Sequence, residues 1–417
     1  MVFAFGKSTG PDAETGAFHL KPGSIGFGVL LGAISALPPL SIDLNLPALP
    51  QLARALAVAP QSAAATLSAF LFGFAVAQLI YGPASDRYGR RPLLLIGLVL
   101  YVAGGLACAF ASSLPTLLVW RALQGAGAGA GMVLSRAIVR DSFPDPASAR
   151  VQFAYVNAVS QVAPVIAPPL GALMLMAGLS WRAIFLCLAG AGAVLICVIW
   201  MSLRESLTLD PNASGQRRGV AHDYLRFVRS RVSIANTLLT GCTFGGLFTF
   251  VSGSSLVFVN TLHLSALNYA GIFALISACI IAGSWATATL SRGRSAEGLL
   301  KAHLVTACLG SVAILIVQYL SGTGGMIVPL TLGFSIVAYC AGATLPISIQ
   351  QALQSLPEIA GTGAALLGCV QMLGGSLAAA LVGPLFHSLG PVGIPWEMLA
   401  FCVGAVILNG RARAVQA

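Results

Sequence analysis

Two charged residues stand inside long apolar runs: Asp43 in SIDLNLPALP and Arg121 in LLVWRALQGAGAGAG. A charge in hydrocarbon is costly unless paired or hydrated, so such residues mark places where protons, ions or polar solutes are handled. Pro47 follows Asp43 by four residues and cannot donate to the Asp43 carbonyl, and Pro38 and Pro39 likewise free the carbonyls of Ile34 and Ser35. The helix is therefore weakened on both sides of the acid. Unwound backbone at membrane depth is tolerated only inside protein or beside a wet cavity. A carboxyl in that setting suits a group that takes up and releases a proton, its charge balanced by any nearby cation. Two placements are open: the wall of a cavity, or a cap at the outer end of the run. Arg121 shares a helix face with Gln124 and Gly125. It either faces the cavity or snorkels outward from the nearby start of its run at Pro115. Gly125, Gly127, Gly129 and Gly131 give two GxxxG spacings, as expected where helix backbones approach closely.

The elements that must hold these residues follow from composition. The chain has 417 residues, 57% hydrophobic and only 8% charged, against about 25% charged in a soluble domain. So little charge cannot clothe a soluble surface. Twelve apolar runs of about twenty residues, from 25–47 to 394–410, are each long enough to cross a bilayer as a helix. The expected fold is an all-α polytopic membrane protein with twelve transmembrane helices in two six-helix bundles. The expected layout is an N-terminal tail (1–24), a first bundle (25–203), a basic linker (204–231), a second bundle (232–410) and a short tail (411–417). The net charge of +10 reflects topology: apart from Arg54, Arg121 and Arg182, the Lys and Arg fall on one side with both termini. That side should be cytoplasmic. The connection carrying Glu358, with no basic residue, is the exception, and nothing else supports nucleic-acid binding. The first 24 residues lack the pattern of a cleavable signal peptide. The nine Cys lie in apolar runs without a CxxC, and the five His are scattered, so no disulfide, metal or cofactor is implied. In the linker, PNASGQRRG precedes VAHDYLRFVRSR, where Val220, Tyr224, Phe227 and Val228 share one helix face. That segment either lies on the anionic membrane surface or is a solvated linker.

Between the second and third runs stands GPASDRYGRRP. It resembles the loop signature of the major facilitator superfamily, G-x-L-x-D-R-x-G-R-R/K-x-x-L. Gly82, Asp86, Arg87, Gly89, Arg90, Arg91 and Leu94 match, and Ala84 replaces the Leu. Arg121, Gln124, Gly125 and Gly127 resemble the fourth-helix motif R-x-x-Q-G-x-G. The fifth run holds Pro164, Pro168 and Pro169, each of which removes a backbone hydrogen bond. It resembles the antiporter motif of drug:proton exporters, G-P-x-x-G-G, with Ala167-Pro168 leading to Gly171-Ala172. With Asp43 to Pro50 (DLNLPALP) and Pro357 to Gln371, these features resemble the bicyclomycin-resistance (Bcr/CflA) subgroup over about residues 25 to 405.

The resemblance implies that Asp43 carries the proton, that Arg121 modulates it, and that Asp86, Arg87, Arg90 and Arg91 latch a cytoplasmic gate. Where related exporters often hold a second acid before the Asp43 position, this sequence has Ile34 and Ser35. Further cavity candidates are Asn45, Asn157, Gln161, Gln350 and Gln371, with Tyr155, Tyr339, Phe248 and Phe250 as stacking surfaces. The implied function is proton-coupled efflux of small amphipathic compounds by alternating access across a bacterial inner membrane. Its partners would be a small-molecule substrate, protons and the lipid bilayer, and the protein would work as a monomer. The alternative is a sugar, organic-acid or other metabolite transporter on the same fold. An enzyme is not indicated: no nucleophile–base pair is evident, and the glycine run lies in an apolar span rather than after a strand.

Overall fold

The computed structural model describes residues 20–143, 145–207, 220–290, 295–320 and 327–416. The tail to residue 19, the PNASGQRRG stretch, residues 291–294 and the last residue lie outside the described residues. The helices are α1 (Ile25–Asp43), α2 (Leu49–Ala55), α3 (Ala65–Tyr88), α4 (Arg90–Ala109), α5 (Leu114–Ser142), α6 (Pro146–Met176) and α7 (Trp181–Ser202). A short α8 (Val220–Arg229) leads to α9 (Arg231–Ser255), α10 (Ala266–Leu290), α11 (Ala296–Leu320), α12 (Ile327–Gln354), α13 (Ala360–Leu389) and α14 (Gly393–Gln416). All but α2 and α8 are long enough to span a bilayer, at about 1.5 Å rise per residue. No strand occurs among the described residues. Helices are forced here, because lipid offers no partner for an unpaired backbone group. The chain is a multi-pass, all-α membrane protein.

In the first half, α3 and α4 pack on α5, α1 on α6, and α4 on α7; in the second, α13 and α14 pack on α9, and α10 and α11 on α12. The halves meet along α3–α13 and α6–α10. At the end away from GPASDRYGRRP they are sealed: Ser68 Oγ donates to Ser376 O at 2.8 Å and Ser376 Oγ to Ser68 O at 2.9 Å. Ala64, Leu256 and Val382 pack together at the same end. The glycine run of α5 explains its central position. A Cβ at Gly125 would overlap the Phe70 carbonyl of α3, and one at Gly127 the Tyr101 backbone of α4. Without side chains there, one helix approaches two neighbours at backbone distance.

The linker helix corrects an expectation. Phe227 of α8 is fully buried, against Gly363 of α13. The Tyr224 hydroxyl donates to Leu79 O of α3 at 3.2 Å, and Arg226 pairs with Glu358 at 2.7 Å. Tyr224 and Phe227 thus dock on protein, while Val228 of the same face is exposed. The Arg226 ion pair also accounts for Glu358 in a connection otherwise without charge.

Candidate functional site

The site is organised by one backbone carbonyl. α1 ends at Asp43 and a 3-10 turn, Leu46–Ala48, follows with Pro47 inside it. The Asn45 N–H bonds back to Ile42 O at 3.3 Å, three residues away, instead of to Ser41 O, four residues away. The freed Ser41 carbonyl accepts from Asn45 Nδ2 at 2.9 Å and from Arg121 Nη2 at 3.2 Å. Ser41 Oγ also shares a hydrogen bond with the Tyr101 hydroxyl at 2.7 Å. Arg121 Nη1 donates to Gln124 Oε1 at 2.9 Å. Its guanidinium lies over the Phe70 ring at 4.9 Å and the Phe185 ring at 5.2 Å. Arg121 is 0% exposed. It therefore neither faces an open cavity nor snorkels. Two ring faces and the Ser41 carbonyl, left free where α1 gives way to the 3-10 turn, provide a dry site within the first half.

Asp43 is 5% exposed. It stands at the end of its helix and is also enclosed, so neither sequence placement holds as stated. A carboxylate at a helix C-terminus sits at the negative end of the dipole and cannot serve as a stabilising cap. Arg121 directs Nη1 to Gln124 and Nη2 to Ser41, and its Nε has no partner; Asp43 and Arg121 form no ion pair. The next residue, Leu44, presses its carbonyl against Gly171 of α6, where any Cβ would overlap it. Pro168 is buried and Pro164 half-buried on the same helix. The proline-rich stretch of α6 thus meets the chain immediately after the buried acid.

The GPASDRYGRRP bead is a helix-to-helix corner. Gly89 has φ +94°, and a Cβ there would meet the Glu205 carboxylate, so glycine serves twice. Glu205 accepts the N–H groups of Arg90 at 2.9 Å and Arg91 at 3.0 Å, capping α4 at the positive end of its dipole. Arg90 is buried; its Nε donates to Asp141 of α5 at 2.7 Å and its Nη2 pairs with Asp86 at 2.5 Å. Arg91 Nη2 donates to Trp200 O at 2.8 Å. Arg87 is exposed beside the Tyr88 ring, and Gly82 is half-buried. The partners of Arg90 and Arg91 belong to the first half or, as Glu205, to the chain directly after it, so these two brace helix ends there rather than bridging the halves.

The cavity candidates divide. Asn157 and Gln161, one turn apart on α6, are exposed, as are Tyr155 and Gln350. Gln371 is half-buried on α13, one turn from Gly375, which touches Phe244 and Phe248 of α9. Asn45 is buried and used by the Ser41 carbonyl. Tyr339 turns to α11, its ring 5.9 Å from that of His303, and so leaves the interface between halves. Phe250 is a core residue, stacked on Phe273 at 5.4 Å and beside Phe334 at 5.0 Å. Asp43, Arg121, Gln124, Gly125 and Gly171 are brought together around the end of α1, whereas the bead stands apart at the opposite end of α3.

Residues 30–379 match the Major Facilitator Superfamily. The chain belongs to that superfamily. It is similar to the uncharacterized MFS-type transporter YdgK of Bacillus subtilis (strain 168), 32% identical over 355 residues, covering 85% of this chain and 87% of that protein. It is 29% identical over 359 residues to the multidrug resistance protein MdtL of Escherichia coli O9:H4 (strain HS), covering 84% and 87% of the two. A bicyclomycin resistance protein homolog of Haemophilus influenzae is 26% identical over 362 residues, covering 86% and 89%. Its backbone resembles a bacterial homologue of the human lysosomal transporter Spinster, inward-facing and occupied, with TM-score 0.73, 16% identity and coverage of 95% and 97%. A D-xylose-proton symporter gives TM-score 0.72 at 15% identity, with coverage of 93% and 97%. These two likenesses speak for the fold alone.

This facilitator-superfamily transporter has two further charged groups that sequence reading passed over. Glu397, the fifth residue of α14, is 4% exposed, and neither carboxylate oxygen has a hydrogen-bond partner. Thr249 of α9 lies beside it but donates its hydroxyl to Gly245 O at 3.1 Å. Arg136, six residues before the end of α5, is exposed. The Glu397 signal was present in the sequence, as an acid inside the run 394–410. Standing near a run's end, it reads as an interfacial residue until packing shows that end to be closed.

Proposed function

We propose that this transporter exports small amphipathic compounds from the cytoplasm in exchange for protons, with Asp43 as the proton-carrying group. One observation carries the reading: a buried carboxyl without a cation partner ends α1 where the helix unwinds, one residue before Leu44, whose carbonyl meets Gly171 of the antiporter-type stretch. A bare charge there is costly, and binding a proton removes the cost. Loss of that proton brings the cost back and drives rearrangement around the end of α1. The same half-turn holds Arg121 through Ser41 O, so protonation at Asp43 bears on the packing of α1 against α5. The resemblance to multidrug and bicyclomycin resistance proteins supports export rather than uptake.

In this cycle GPASDRYGRRP faces the cytoplasm and the Ser68–Ser376 end faces outward. Asn157, Gln161 and Gln371 line the path between the halves. Moving one net charge through 100 mV is worth about 2.3 kcal/mol, which sustains roughly a fifty-fold gradient. The test is efflux of a drug panel from cells expressing wild type or Asp43→Asn, with and without a protonophore. Efflux by wild type, lost in the mutant and in uncoupled cells, is expected. Efflux that persists in Asp43→Asn would remove Asp43 from coupling, and absence of efflux for every compound would shift the assignment to metabolite transport.

A further inference from the structure

Arg136 stands on the last turns of α5. α5 runs from the sealed end of the molecule to the bead, where Asp141 meets Arg90. On its last turns Leu134, Ser135, Ile138 and Val139 are buried, and Ser135 Oγ donates to Leu31 O of α1 at 3.2 Å. The opposite face carries Met132, Arg136 and Arg140 at successive turns. The Arg140 guanidinium lies against Gly361 of α13, so this face looks across to the second half. Arg136 is accessible to solvent and lies one turn before Arg140 on the face that looks to the second half. A side chain with both properties lines a water-filled space between the halves, not the lipid face.

No carboxylate is assigned to it. Among the described residues on this side, Asp86 and Asp141 hold Arg90, Asp141 also pairs with Arg140 at 3.6 Å, Glu358 holds Arg226, and Asp223 lies beside His222. Glu205 caps α4, Asp145 caps α6, and Glu297 is engaged at the start of α11. The two acids within spans, Asp43 and Glu397, stand near the sealed end of α1 and at the start of α14. The cytoplasmic mouth thus presents Arg136 with Arg140 behind it. Among the described residues, the acids within spans lie at the far end.

We infer that the cavity selects compounds bearing a carboxylate or comparable anionic group, anchored by Arg136, and disfavours cations. A guanidinium offers a planar fork that matches a carboxylate in two hydrogen bonds. Low-dielectric walls focus its field on whatever enters. Asn157 and Gln161 on α6 supply neutral polar contacts deeper in. This inference rests on the export reading for its direction of transport, but the binding chemistry is separable from it.

The experiment is fluorescence-anisotropy titration of the purified full-length transporter in phosphatidylcholine nanodiscs, above neutral pH. The probes share one xanthene scaffold: anionic fluorescein, zwitterionic rhodamine B and cationic rhodamine 6G. Fluorescein should bind at least about tenfold more tightly than rhodamine 6G, as expected for a charge-assisted pair. Arg136→Gln should remove that preference, while Arg136→Lys keeps most of it and controls for folding. Equal binding of the anion and the cation, no fluorescein binding, or an unchanged Arg136→Gln variant overturns the inference. So does loss of fluorescein binding when phosphatidylglycerol is added, which would assign Arg136 to lipid phosphate. Selective anion binding without proton-driven export would leave this inference standing and remove the export reading. Export insensitive to Arg136→Gln would do the reverse.

Discussion

Gly125→Ala sets two effects of opposite sign against each other. Helix propensity alone favours alanine by about 1 kcal/mol. The structure opposes it, because a Cβ at Gly125 would fall inside contact distance of the Phe70 carbonyl of α3. On the same seam a Cβ at Gly73 would meet the Ala122 carbonyl of α5, so each helix presents a glycine to the other's backbone. A carbonyl cannot rotate aside without breaking its own helix, so α3 and α5 must part. Overpacking of this kind costs about 1–3 kcal/mol, and a gap of ~1 Å forfeits up to about half of each atom pair's dispersion energy along the seam. The clash wins, for a net loss of about 1–2 kcal/mol. Phe70 also carries the Arg121 guanidinium on its ring, so transport should fall with stability. Thermal unfolding of the purified protein by intrinsic tryptophan fluorescence reads the first effect. Gly190→Ala on α7, with nothing within 4 Å of its added Cβ, is the control and should stabilise. If Gly125→Ala melts at or above wild type, backbone-distance packing of α3 on α5 is wrong.

Two other perturbations test separate parts of the site. Glu205→Ala removes both acceptors at the start of α4 and, because Glu205 is exposed, should cost only about 1 kcal/mol. Faster hydrogen exchange at the Arg90, Arg91, Ser206 and Leu207 amides, with little change elsewhere, is the expected signature. Glu397→Gln keeps the shape and removes the charge, so its melting temperature should stay near wild type, whereas Glu397→Lys should fail to give folded protein by size-exclusion profile, since a buried unpaired ammonium has no partner there.

Much of the architecture was legible because lipid leaves few choices: an apolar run of about twenty residues must be a helix. The bead's residues were legible too, and Gly89 and Arg90 proved to be fixed by local geometry. Packing partners were not. The VAHDYLRFVRSR pattern reveals an apolar face on α8 but not that Gly363 leaves the notch that takes Phe227. Tyr339 and Phe250 share composition with cavity residues, and only the crossing of α11 and α12, and the Phe273–Phe334 cluster, turn them inward. Arg121 was visible as a charge in a span. Its partner, the Ser41 carbonyl two residues before Asp43, was not, because the sequence marks the change from α1 to the 3-10 turn only by Pro47.

That proline offers the sharpest separation of stability from transport. Pro47→Ala restores an N–H that can reach the Asp43 carbonyl and lets α1 run on as an α-helix. In a helix interior, alanine is favoured over proline by about 3 kcal/mol. A regular helix would also return the Asn45 N–H from Ile42 O to Ser41 O, the acceptor now shared by Asn45 Nδ2 and Arg121 Nη2. Arg121 would then compete with a backbone donor for its carbonyl while remaining fully buried. The variant should therefore be at least as stable as wild type by thermal melting and yet slower in proton-driven efflux, because the half-turn joining Asp43 to Arg121 no longer needs the arginine. Reduced stability would mean that the 3-10 turn is imposed by packing on α6 and α10 rather than by Pro47. Unchanged efflux with raised stability would show that the Ser41 carbonyl holds Arg121 in place without linking it to the proton site.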